Sequence, residues 1–150
     1  MKSRGVLPEK LQTALAEVRQ VYVDLAQKPI QRNCVRRTEC CHFKLTGRTP
    51  YLTKGEAVVA ATALRATGRK SLPENADGSC PMLQPETGNC LIYADRPFGC
   101  RTHFCAAAGG PIARREVLGL IRRLEDVDLA LKGNGPRPLQ TAVADAVEEL

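Results

Sequence analysis

Apolar residues recur at three- and four-residue steps between residues 8 and 27, at Leu11, Leu15, Val18, Tyr22 and Leu25. That spacing lines one face of a helix. Pro8 suits its first turn, and Pro29 lies just beyond its end. The pattern is lost over residues 30–52, which read as irregular. Thr53 then opens a second helix, and Glu56 three residues later completes a capping-box pattern. The Ala- and Val-rich helix runs to Thr67, with Gly68 as its stop. Residues 71–79 (SLPENADGS) read as a loop. Two short apolar runs, 80–83 and 90–93, flank the turn-rich PETGN and predict a small hairpin. Residues 95–99 (DRPFG) form a turn leading to Cys100. A third helix is expected from Pro111 to Lys132, with Val117, Ile121, Leu124 and Leu131 on its apolar face. The stretch GNGPRP breaks it, and a last helix over 138–149 carries Leu139, Val143 and Val147. No internal repeat is visible. The expected fold is mainly α: four helices around a cysteine-bearing loop region with one small β-hairpin.

The 150 residues fit one domain. At 43% hydrophobic and 25% charged, the chain is neither disordered nor low in complexity. No apolar run approaches a membrane span. The opening MKSRGVLPEK lacks the apolar stretch of a signal peptide, which predicts a cytoplasmic protein. With 4% aromatic residues and no Trp, the core has to be aliphatic. The formal charge of +6 is uneven: residues 1–75 carry 14 Lys and Arg against 6 Asp and Glu, and residues 76–150 carry 8 against 10. A basic half suits an anionic partner such as nucleic acid, but the aromatic residues that stack bases are scarce. The same arginines could balance buried thiolate charge. The third helix has its charges reversed against its dipole, with Arg114 and Arg115 near its start and Glu125, Asp126 and Asp128 near its end.

Seven cysteines are the anomaly. In a chain expected in the cytoplasm, disulfides are a poor explanation, and an odd count disfavours full pairing. Thiolate sulfur suits zinc, copper(I) and iron–sulfur clusters. The cysteines fall into two groups, Cys34, Cys40 and Cys41, then Cys80, Cys90, Cys100 and Cys105, bridged by the second helix. Ligands arriving from two chain segments could close on one metal and staple a small core. Adjacent Cys40 and Cys41 reach one metal only through a tight turn, since neighbouring side chains in extended chain point oppositely. His42 or His103 could complete two four-ligand sites, and one four-ligand site with spare thiols is equally permitted. Arg96 and Arg101 flank Cys100 and are candidates for hydrogen bonds to metal-bound sulfur.

These residues resemble a known family. Cys34-x-x-Arg37-x-x-Cys40-Cys41 is similar to a CxxCxxCC signature. Cys80-Pro-Met-Leu, then Gly88-Asn-Cys90-Leu-Ile-Tyr93, then Arg96-Pro97-x-x-Cys100-Arg101, resembles the same family's second half. The family is the YkgJ-like cysteine-cluster proteins, described as zinc- or iron-chelating. A related cysteine-rich motif occurs in bacterial flagellin lysine methylases, where it is associated with an iron–sulfur cluster. The resemblance covers about residues 34–105. It implies a metal-binding core there, within one domain over 1–150, flanked by helices 8–27 and 111–149. The sequence departs from the signature at Arg37, where a cysteine is expected and no thiolate is available. Cys105, five residues after Cys100, is an extra cysteine that could replace it.

The expected function is therefore chelation of an iron–sulfur cluster or zinc by Cys34, Cys40, Cys41, Cys80, Cys90, Cys100 and Cys105. An accessory or catalytic role in a protein-modifying enzyme is the alternative, although no nucleotide-binding glycine pattern is present. A catalytic zinc keeps an open coordination position, which a full thiolate set would close. A basic zinc module on nucleic acid is a further alternative, although the ligand spacing does not match a two-histidine finger. A thiol–disulfide enzyme is disfavoured because no C-x-x-C pair exists.

Overall fold

The computed structural model describes residues 8–28, 49–76, 78–84, 86–102 and 112–150. Its elements in chain order are α1 (Glu9–Ala26), β1 (Tyr51–Leu52), α2 (Lys54–Ala66), α3 (Phe98–Thr102), α4 (Leu118–Ala130), β2 (Arg137–Pro138) and α5 (Leu139–Glu149). Short 3-10 turns cover Tyr93–Asp95 and Arg114–Glu116. The fold is mainly helical with one small two-stranded antiparallel sheet. Among the described residues, no helix is long and apolar enough to cross a membrane.

Helix α2 lies at the centre, packed against α1, α4 and α5. Its Ala- and Val-rich sequence follows from that position: Gly55, Glu56, Ala57, Val58, Val59, Ala60, Ala61 and Leu64 are all buried. A helix apolar around most of its circumference can be covered only from several sides. The covering faces are Leu15, Val18, Tyr22 and Leu25 of α1, Leu120, Leu124 and Val127 of α4, and Leu139, Val143 and Val147 of α5. Gly55 permits the tightest approach. A Cβ there would lie 2.7 Å from Val127 Cγ1 and 2.9 Å from Val18 Cγ2, so α1, α2 and α4 meet where only glycine fits.

Both ends of α2 follow the sequence. The Thr53 N–H donates to Glu56 Oε2 at 3.2 Å, one half of a capping box. Gly68 follows the helix with φ +91°, a left-handed stop that a Cβ would strain. The predicted third helix is shorter than the pattern implies. It begins at Leu118 after the 3-10 turn, and Pro111 lies outside the described residues. Its buried face centres on Leu120, Leu124 and Val127, while Ile121 and Leu131 are only partly covered.

The expected reversed charge order holds only in part: Arg114 and Arg115 lie in the 3-10 turn ahead of α4, and of the acids near its end Asp128 has a structural role. Asp128 is 4% exposed, and its carboxylate serves another helix. Its Oδ1 accepts the Lys54 N–H at 2.7 Å, at the N-terminus of α2, and its Oδ2 accepts the Gly135 N–H at 2.9 Å. An anion is favoured at that helix start. On the α1–α4 face, Arg123 donates from Nε to Glu17 at 2.7 Å and from Nη1 to Asp24 at 2.6 Å.

The two-stranded sheet joins distant parts of the chain. Tyr51 pairs with Pro138 and Leu52 with Arg137, and the Leu139 N–H donates to Pro50 O at 2.9 Å. The hairpin expected over 80–93 is smaller than predicted. It closes through a single antiparallel bridge, Leu83 to Cys90.

Candidate metal centre

Residues 78–102 carry the three described cysteines on a run of tight turns. Cys80 is buried, and its carbonyl accepts the Leu83 N–H at 2.9 Å. Asn75 fastens this turn from outside: its Nδ2 donates to Cys80 O at 2.8 Å and to Leu83 O at 3.0 Å. Met82 and Leu83 sink into the core. The chain reverses at Gly88, φ +72°, and returns with the Leu91 N–H on Met82 O at 2.7 Å. Cys90 sits in the resulting bridge, partly buried against the core. Ile92 anchors the next turn, and buried Pro97 leads to α3, which carries Cys100 in its first turn. There the Cys100 N–H donates to Pro97 O at 3.0 Å.

The two arginines beside Cys100 differ. Arg101 is half-buried. Its Nε donates to Arg96 O and its Nη2 to Ala94 O, both at 2.7 Å, and its guanidinium lies 4.3 Å from the Tyr22 ring centroid. It thus braces the 94–96 turn against α3 and α1. Burial lowers its pKa, an effect opposed by the charges of Tyr22, Asp95 and Cys100. Arg96 is bound locally, with Nε on Tyr93 O at 3.2 Å and its guanidinium 4.1 Å above the Tyr93 ring.

Beneath α3 lies a polar group that the sequence pattern did not single out for this role. Glu56 is 3% exposed. Its Oε1 accepts the Phe98 N–H at 2.7 Å and the Tyr22 hydroxyl at 3.1 Å, and its Oε2 accepts the Thr53 N–H and hydroxyl, both at 3.2 Å. Burial pushes the Glu56 carboxyl above the usual glutamate value of 4.5, and these hydrogen bonds pull it back. Burial and then the nearby Glu56 carboxylate hold the Tyr22 hydroxyl well above its usual 10.0. The sequence clue was a Glu within an otherwise apolar helix, which read as a cap alone. Tyr22 read as core, and Asn75 as loop.

Cys80, Cys90 and Cys100 are thus set on hydrogen-bonded turns within one stretch of chain. Cys34, Cys40, Cys41 and Cys105, with Arg37, His42 and His103, lie outside the described residues. Among the described residues, no three Cys, His, Asp or Glu side chains are grouped as metal ligands would be. By the chemistry of their donors, the thiols present fit a soft or borderline cation. The described residues alone do not make up a ligand set.

A family model, CxxCxxCC, described as "Putative zinc- or iron-chelating domain", matches residues 32–117, more than half of the chain. No curated protein and no solved structure matches it with significance.

Proposed function

From a chain that belongs to the CxxCxxCC family of zinc- or iron-chelating domains, we propose a protein that holds iron, as an iron–sulfur cluster, or zinc through cysteine thiolates. The ligand set is drawn from Cys34, Cys40, Cys41, Cys80, Cys90, Cys100 and Cys105. The observation that carries this reading is the family match, which spans both cysteine groups and all seven cysteines. The turns that present Cys80, Cys90 and Cys100 support it, because ligands fixed by the backbone lose little freedom on binding. Arg37 supplies no thiolate, and Cys105 takes the place of the missing ligand from the other side of the site. Arg101 offsets negative charge near Cys100 as a group outside the ligand set. The flanking helices and the cysteine segment act as one domain. The protein works in the reducing cytoplasm, where thiolates persist.

An iron–sulfur cluster would supply one-electron transfer, and zinc a structural cross-link. The protein's own part is to present the thiols, neutralise their charge and cover them. The test is anaerobic purification followed by elemental analysis, acid-labile sulfide and a visible spectrum on one sample. Iron with sulfide and broad visible absorption supports the cluster. Stoichiometric zinc without colour supports chelation as a structural staple. A chain that retains neither metal and takes up neither on reconstitution refutes the proposal.

A further inference from the structure

The chelation reading leaves open what holds α3, and with it Cys100, in place. A five-residue helix has no stability of its own. Its start has to be fixed from outside. Pro97 lacks an N–H, so Phe98 supplies the first backbone donor of the helix. That N–H meets no solvent: Phe98 is buried, and its partner is the Glu56 carboxylate 42 residues earlier in the chain, at 2.7 Å.

Glu56 is itself immobilised. The Thr53 N–H and hydroxyl hold Oε2 on α2, and the Tyr22 hydroxyl approaches Oε1 from α1. The Tyr22 ring then lies under the Arg101 guanidinium, one residue beyond Cys100. The path is continuous from two core helices, through one carboxylate, to the backbone beside the cysteine. On the reading that Cys100 is a metal ligand, we propose that Glu56 is a positioning residue of the metal centre. Its buried carboxylate holds the Phe98 N–H and so presets the α3 turn that presents Cys100 before metal arrives.

The distinction from a general structural role lies in what Glu56 touches. Its contacts to Thr53 cap α2 locally. Its contact to Phe98 acts only on the cysteine-bearing turn. Glu56→Asp separates the two, because a side chain one carbon shorter can still serve the cap but cannot reach Phe98. Val143→Ala is the comparison: it truncates a fully buried side chain on α5, whose main packing is against α2, and destabilises the core there.

The probe is cobalt(II), added anaerobically to reduced full-length protein. Its thiolate charge-transfer and d–d bands report how many sulfurs bind and in what geometry. Affinity is read by chelator competition, and stability by urea unfolding of the metal-free form. The expected result is a roughly 10–100-fold loss of cobalt affinity in Glu56→Asp, with altered bands. Val143→Ala should keep the wild-type bands and affinity at an equal or greater loss of stability. Wild-type bands and affinity in Glu56→Asp overturn the proposal, as does the same loss in Val143→Ala. A wild-type chain that takes up no cobalt and retains no zinc or iron refutes the chelation reading itself. Should Glu56→Asp not fold, amide exchange of the wild type decides the matter. Phe98 protected in both metal-free and loaded protein supports presetting by Glu56, and Phe98 protected only when metal is bound overturns it.

Discussion

Removing the Asp128 carboxylate should cost more than any change at the neighbouring exposed acids. Two backbone N–H groups end on it, Lys54 at 2.7 Å and Gly135 at 2.9 Å. A hydrogen bond to a charged group contributes about 1.5–3 kcal/mol, so two give about 3–6 kcal/mol. A polar cavity of about 150 Å³, lined in part by Lys54, Gly133 and Gly135, lets water reach the abandoned donors. That places Asp128→Ala at the lower end, about 3 kcal/mol. For a chain of this size it corresponds to a Tm lower by roughly 6–12 °C. Asp128→Asn keeps one acceptor and turns a donor toward the other N–H, so its loss should be about half as large. Asp126→Ala, an exposed acid two residues away on the same helix, should stay within about 0.5 kcal/mol of wild type. The assay is urea unfolding followed by circular dichroism, with the m-value checked for constancy. If Asp128→Ala and Asp126→Ala unfold together, the carboxylate does not fasten α2 and the reasoning fails.

Three further outcomes follow from other contacts. Gly55→Ala should destabilise by about 1–3 kcal/mol, because overpacking against Val18 and Val127 outweighs the better helix propensity; an unfolding midpoint at or above wild type would contradict this. The Asp24 carboxyl is held below its usual 3.8 by its hydrogen bonds from Arg123 and Gln20. A depressed folded value stabilises above the unfolded pKa, and this contribution is lost as pH falls through the folded one. Arg123→Gln should therefore move the Asp24 titration back toward 3.8, as read by NMR, and an unmoved titration would show that Arg123 is not its cause. If Cys105 replaces the ligand missing at Arg37, Cys105→Ser should lower bound metal as much as Cys90→Ser does; unchanged metal content in Cys105→Ser would remove Cys105 from the ligand set.

The helices were legible because each carries its own periodic face. Leu15, Val18, Tyr22 and Leu25 were readable as one stripe, and all are buried. Thr53, Glu56 and Gly68 marked both ends of α2 by local chemistry alone. What could not be read was what acts across the chain. The two-residue strands pair over more than eighty positions and have no pattern of their own. Asp128 broke a local rule, the helix dipole, because it serves a different helix. Glu56 likewise read as a cap, since nothing local announces an N–H arriving from Phe98. In the cysteine segment, the residue types and spacing pointed to the family that the family model matches, a zinc- or iron-chelating domain. The hairpin there was overdrawn because the apolar runs 80–83 and 90–93 anchor turns into the core, with Met82, Leu83 and Ile92 as the anchors.

The central position of α2 bears on how this chelating segment could be moved between proteins. The family match ends at residue 117, just where α4 is about to begin, and starts after α1 has ended. A fragment trimmed to 32–117 would keep α2 and discard all three long helices that cover it. It would also lose β2, the partner of β1. Val59, Ala60, Ala61 and Leu64, wholly buried in the intact chain, would face water. The cysteine segment is in this sense a tenant of a helical frame built from the two ends of the chain. Grafted elsewhere, it would need a host that already offers such a frame.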